Sequence, residues 1–247
     1  MAKLGEDLQH NYSQFSKNLP SAIEKNVKAF RGNDKLLDSY ARIAAINAMK
    51  RDLVEHHLPQ GAAHFFYEAH NDALLSHVNA SFGSWRPALQ SLRSFMENTM
   101  SAIFYMDHPV ELQKWAEGQY YIAPRDLREY VADHPQLRGL SQELDLKAGL
   151  DNEYATLSKA VHASNSLFRM TSEDAKTKFA DVDVAELGKW AARERAAVNI
   201  CMVALTGLMK EHLDGAKQAA LRSALSHALL GSSVSALKKH CDVSIPT

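Results

Sequence analysis

The sequence predicts an all-α fold, a multi-helix bundle. Apolar residues recur three and four positions apart along nearly the whole chain, while the strict alternation of a half-buried strand is almost absent. Proline- and glycine-containing breakers divide that pattern into helix-length segments. With 247 residues, 46% of them hydrophobic and 23% charged, the chain can bury one large core.

The segments follow in order. A first helical pattern is interrupted at Pro20 and resumes to about Phe30; Arg31-Gly-Asn-Asp is a turn in which Asp34 can cap the next helix. That helix offers Leu37, Tyr40, Ile43, Ala44, Ile46 and Leu53 as a broad apolar face and stops near His57, ahead of Leu58-Pro59-Gln60-Gly61. A third runs from about Ala62 to Phe82, with Phe65, Phe66, Ala69, Ala73, Leu74 and Val78 available for burial. Gly83-Ser84 breaks it, and Ser84 caps a fourth helix that tolerates Pro87 in its first turn and ends at Asp107-His108-Pro109. Its apolar positions are Leu89, Leu92, Met96, Met100, Ile103 and Phe104.

From Pro109 to Gly149 the prolines allow only short helices, with Trp115, Tyr120, Tyr121 and Tyr130 expected to pack them onto the bundle. Longer helices are expected from Asp151 to about Phe168, from Val184 to Leu213 (the longest) and from Ala216 to Leu230. In the Val184 helix, Trp190, Ile200, Met202, Leu205 and Met209 suit a core or a dimer interface alike. No repeat or linker divides the chain, so residues 1–247 are expected to form one domain, with the helix over 1–30 and the tail 232–247 as candidate additions.

Composition excludes several classes. A formal charge of −1 provides no global field toward nucleic acid or anionic lipid, although it leaves room for a local patch. Two cysteines, Cys201 and Cys241, cannot build a disulfide framework, and reduced thiols fit a cytoplasmic location. The polar start Met1-Ala-Lys-Leu-Gly-Glu-Asp lacks the apolar stretch of a signal peptide. The most apolar run, Ile200 to Met209, is about half the roughly 20 residues a spanning helix needs, so no membrane association is expected.

The sequence has no phosphate-binding glycine loop and no His-Glu-x-x-His. The Glu-x-x-His spacing of a di-iron bundle is also absent from Glu55-His56, Glu68-Ala69-His70 and Glu211-His212. His64, His70 and His77 share one predicted helix, but no third ligand of credible spacing joins a pair of them. Neither a metal nor another cofactor is expected.

Two i,i+4 pairs stand out: Arg93 with Glu97, and Ser158 with His162. Each pair lies on one helix face beside an apolar stripe, Leu92 and Met96 flanking the first and Leu157 and Val161 the second. Polar groups there need partners, and an Arg–Glu pair facing a Ser–His pair would satisfy all four. Around them, Arg93-Ser-x-x-Glu97 and Leu157-Ser-x-x-x-His162-x-Ser164 resemble a group of bacterial helical proteins within the HEPN-like superfamily, found in toxin, abortive-infection and antiphage-defence systems. The resemblance covers about the central third of the chain.

It implies a HEPN-like core with additional short helices, RNA or a nucleotide as ligand, a protein partner in a defence or toxin–antitoxin system, and pairing into a homo-oligomer. It also implies metal-independent ribonuclease chemistry in active members. A neutral His162 would take the proton from a ribose 2′-hydroxyl, and Arg93 would stabilise charge on the phosphate. Glu97 would hold Arg93 or orient the imidazole, and Ser158 would bind substrate. The Arg-polar-x-x-x-His signature of such members also fits Arg51-Asp52-Leu-Val-Glu-His56, which makes Arg51 and His56 an alternative pair. A buried polar network that fixes helix register, in a sensor, adaptor or structural subunit, is the competing expectation.

Overall fold

A computed structural model describes residues 2–161, 180, 182–215 and 218–246. Every regular element among them is helical. Helix α1 is Ala2–Phe30 and α2 is Asp34–Met49; a π-helical turn, Lys50–Val54, links α2 to the single turn α3, Glu55–His57. Then follow α4 Gln60–Ser81, α5 Trp85–Asp107, α6 Pro109–Ala116, α7 Pro124–Asp133, α8 Arg138–Leu144 and α9 Leu146–Val161. Helices α10 Val184–Leu208, α11 Ala219–Leu225 and α12 Gly231–Cys241 complete the series.

The centre is an antiparallel hairpin of α4 and α5. Gly83, at φ 80°, makes its turn in a left-handed conformation that costs other residues energy. Leu89, Leu92, Phe95, Met96, Met100 and Ile103 of α5 are all at most 1% exposed. Burial of one such side chain stabilises by about 1.5–3 kcal/mol, so α5 is the axis of the fold. Helices α4, α7, α9 and α10 surround it, α2 packs across α4 and α10, and α11 lies on α2. Helix α10 is lined by Trp190, Met202 and Leu205, which are fully buried. Trp190, Met202, Leu205 and Met209 therefore form core, and Ile200 stays half-buried against it.

Several elements depart from expectation. Helix α1 runs unbroken through Pro20, and at 29 residues it is longer than the 25-residue α10. Asn33, not Asp34, caps α2: its side chain accepts from the Lys35 amide at 3.0 Å. Leu37 and Tyr40 are 67% and 60% exposed and Ala44 also faces solvent, because α2 buries the face carrying Ile43, Ala45, Ile46 and Met49. Leu74 and Val78 of α4 are likewise exposed, as is Tyr121 in the short-helix region, whereas Trp115 packs its ring on Phe65 at 4.7 Å as expected.

Helix α9 begins at Leu146, and Gly149 inside it permits close approach to α10: a Cβ there would lie 2.3 Å from the Ile200 Cδ1. Helix α10 closes at Leu208, and α11 spans only Ala219–Leu225. Helix α12 packs on α8 and α10, and Val243 and Ile245 beyond it are buried.

Candidate functional site

Where α5, α7 and α9 meet, side chains one helical turn apart are brought into a single polar group. Arg93 and Glu97 on α5 pair at 3.1 Å, as i,i+4 spacing allows. The third member is Tyr154 of α9. Its hydroxyl accepts from Arg93 Nε at 3.1 Å and Nη2 at 2.8 Å, and donates to Glu97 Oε1 at 2.5 Å. The Arg93 guanidinium lies 5.0 Å from the centre of the Tyr154 ring and that of Arg128, from α7, 4.2 Å. Arg128 Nε donates to Asp151 at 2.6 Å and its Nη1 to the Pro124 carbonyl at 2.9 Å; Lys147 Nζ reaches Asp151 at 2.5 Å.

The group lies at the edge of the core and partly opens to solvent: the side chains of Arg93, Glu97 and Arg128 are 23%, 31% and 12% exposed. Burial and the adjacent Glu97 carboxylate push the Tyr154 hydroxyl above its ordinary pKa. Burial alone would lower Arg93, but the Tyr154 hydrogen bond and the Glu97 charge outweigh it, so the guanidinium is held more firmly charged. Lys147 and Arg128 hold Asp151 below the usual carboxylate range, against the opposing effect of burial.

Ser158 follows Tyr154 by one turn of α9, and its Oγ is buried without a hydrogen-bond partner among the described residues. His162, expected next to it, lies outside the described residues. Arg51 sits on the π-helical turn and pairs with the adjacent Asp52 at 2.7 Å while 65% exposed. His56 is exposed, with its ring 6.3 Å from that of His57, which stacks on His212 at 3.7 Å. Of the predicted site residues, Arg93 and Glu97 are thus joined directly.

Neither Tyr154 nor Arg128 was expected at this group, although Arg128 fits the looser Arg-to-His spacing with His134. Tyr154 stands four positions before Ser158, and that spacing was a usable signal; no local spacing linked Arg128 to Tyr154, because it arrives from a different helix. Among the described residues, no group of three His, Cys, Asp or Glu is arranged to hold a metal ion. His64 instead packs edge-on against Tyr67, and His77 bonds Ser39 at 3.1 Å. Burial lowers the pKa of both His70 and His77, with Lys50 and Arg42 respectively adding to the effect.

Two further polar centres lie deeper. Arg42 of α2 donates to Glu194 of α10 at 2.6 Å, with side chains 8% and 3% exposed. Glu153 of α9 meets Arg193 at 3.0 Å through Oε2, while its Oε1 is buried and unpartnered among the described residues. Burial raises the Glu153 pKa to about 7, only partly offset by Arg193.

No protein-family model, curated protein or solved structure matches this chain.

Proposed function

We propose that this protein is a HEPN-like bundle of toxin or antiphage-defence type that takes an RNA or nucleotide phosphate at the Arg93–Tyr154–Arg128 group. The supporting observation is the placement of two guanidiniums against one tyrosine ring at a partly open helix junction. Arginine presents planar donors that match phosphate oxygens, and its charge persists at any physiological pH.

In the ribonuclease form of this reading, the 2′-hydroxyl proton passes to His162 and the 2′-oxygen attacks the adjacent phosphorus. The bond to the 5′-oxygen breaks, a 2′,3′-cyclic phosphate forms, and the leaving 5′-oxygen takes a proton from water. Arg93 stabilises the charge that accumulates on the non-bridging oxygens. The base role of His162 is what the resemblance to HEPN-like proteins implies, and Ser158, whose Oγ has no partner among the described residues, binds substrate.

The decisive test is RNA cleavage by purified protein in the presence of a chelator. Replacing His162 by Ala is expected to slow cleavage by about 10²–10⁴-fold, and Arg93→Ala by about 10²–10³-fold. Unchanged rates in both variants, or complete inhibition by chelator, would reject ribonuclease chemistry.

One observation favours a second reading, a non-catalytic sensor or adaptor. Glu97 already accepts from both Arg93 and Tyr154, so a bound phosphate has to compete with a carboxylate. In that case nucleotide or RNA binding survives His162→Ala, falls with Arg93→Ala, and no cleavage occurs in the parent protein.

A further inference from the structure

The amino-terminal part of α1 carries an apolar stripe that nothing in the chain covers among the described residues. Leu8, Tyr12 and Phe15 are 60%, 71% and 60% exposed. Leu19 and Ile23 continue the stripe half-buried, and it enters the core at Asn26 and Phe30. Asn26 Nδ2 is tied to the Phe82 carbonyl at 3.1 Å, and Phe30 meets Trp85 edge-on at 5.9 Å. These contacts anchor the carboxy-terminal end of the helix. Steps of three and four residues average close to the helical period, so the stripe stays on one face. Between Leu8 and Ser16 there is no Asp, Glu, Lys or Arg, and charged residues are depleted in the cores of interfaces.

We infer that this stripe is a self-association surface on which α1 of a second copy lies antiparallel. The spacing reads the same in both directions. A register that sets Tyr12 against the partner's Phe15 also sets Leu8 against the partner's Leu19. Aromatic meets aromatic and leucine meets aliphatic.

Charge selects the antiparallel direction. It brings Glu6 and Asp7 within a turn of the partner's Lys17 and the partner's Lys25, with Glu24 the single carboxylate in that stretch and engaged by Lys28 of its own helix at 2.8 Å, whereas a parallel pair sets like charge beside like. Opposed helix dipoles add to the preference, and the two bundles are held at opposite ends of the helix pair.

Area is sufficient for association. An aromatic side chain offers about 150–250 Å², so the exposed parts of Leu8, Tyr12 and Phe15 present on the order of 400 Å² per copy. Two copies, with Leu19 and Ile23 included, approach the roughly 1,200 Å² at which specific interfaces begin. An apolar recess of about 310 Å³, bordered by Val27, Phe30, Leu36 and Leu37, lies where the partner's helix would end.

Sedimentation equilibrium of the full chain tests this directly. The parent protein is expected to sediment as a dimer at high micromolar concentration, and Phe15→Glu to give the mass of one chain with its helical circular dichroism retained. Register is tested in a Cys241→Ser background. Leu8→Cys combined with Leu19→Cys is expected to form covalent dimers on mild oxidation, and Leu8→Cys alone is not. Positions 8 and 19 of one helix are about 16 Å apart, too far for a bond within a chain. A parent protein that is monomeric at every concentration, a dimer that persists in Phe15→Glu, or linkage by Leu8→Cys alone would each overturn the inference.

Discussion

Tyr154 donates its hydroxyl proton to Glu97 at 2.5 Å while the same oxygen accepts from Arg93, so one phenol oxygen joins α9 to both members of an α5 ion pair. Tyr154→Phe retains the ring beside Arg93 and Arg128 and removes that oxygen. The expected cost is about 1–2 kcal/mol, typical of a charge-assisted hydrogen bond. Tyr154→Ala loses the two cation–π contacts and apolar packing as well, so it is expected to be the more destabilised variant in chemical denaturation.

Glu153 makes stability depend on pH. Its folded pKa, about 7, lies above the ordinary 4.5, so the folded state holds the proton more tightly than the unfolded chain. This group favours folding most below about pH 4.5, and the contribution is lost as pH rises through 7. Glu153→Gln is expected to match the parent near pH 4 and exceed its stability at pH 8, by up to about 3 kcal/mol. Urea unfolding at the two pH values checks the sign; a variant less stable at pH 8 rejects the assignment.

The Arg42–Glu194 pair sets a second expectation. Burial raises the Glu194 pKa, and Arg42 and Ser39 pull it back. Arg42→Ala strands a buried carboxylate and is expected to cost about 3–5 kcal/mol. Replacing both, as Arg42→Met with Glu194→Leu, is expected to recover most of that loss, because an apolar pair leaves no unpaired charge. Thermal melts of the single and double variants read the difference.

Gly149→Ala brings a Cβ to 2.3 Å from Ile200 Cδ1. The clash is with the end of a flexible side chain, so a cost of about 1–3 kcal/mol is expected rather than a failure to fold. Ile200→Val removes the clashing methyl, and the combination Gly149→Ala with Ile200→Val should regain much of the lost stability in a double-mutant cycle.

The helices were legible because their periodicity is local. The faces were legible only where a helix is surrounded: the predicted stripe of α5 is buried throughout, whereas Leu37, Tyr40, Leu74 and Val78 fit the period yet face solvent. Periodicity places residues on a common face without saying whether another element will cover it. The π-helical turn at Lys50–Val54 was likewise invisible, since no residue type marks a register slip of one hydrogen bond.

The sequence by itself determined the helical class, the hairpin turn at Gly83 and the Arg93–Glu97 pair, because each depends on residues within about one helical turn of one another. Tertiary structure alone decided that Tyr154 closes this pair, that Arg128 stacks beside it, and that Glu153 and Glu194 are buried against Arg193 and Arg42. Those partners lie between 26 and 152 positions apart and sit on different helices. Which helix packs against which depends on the summed burial of many side chains, a quantity that no local spacing contains.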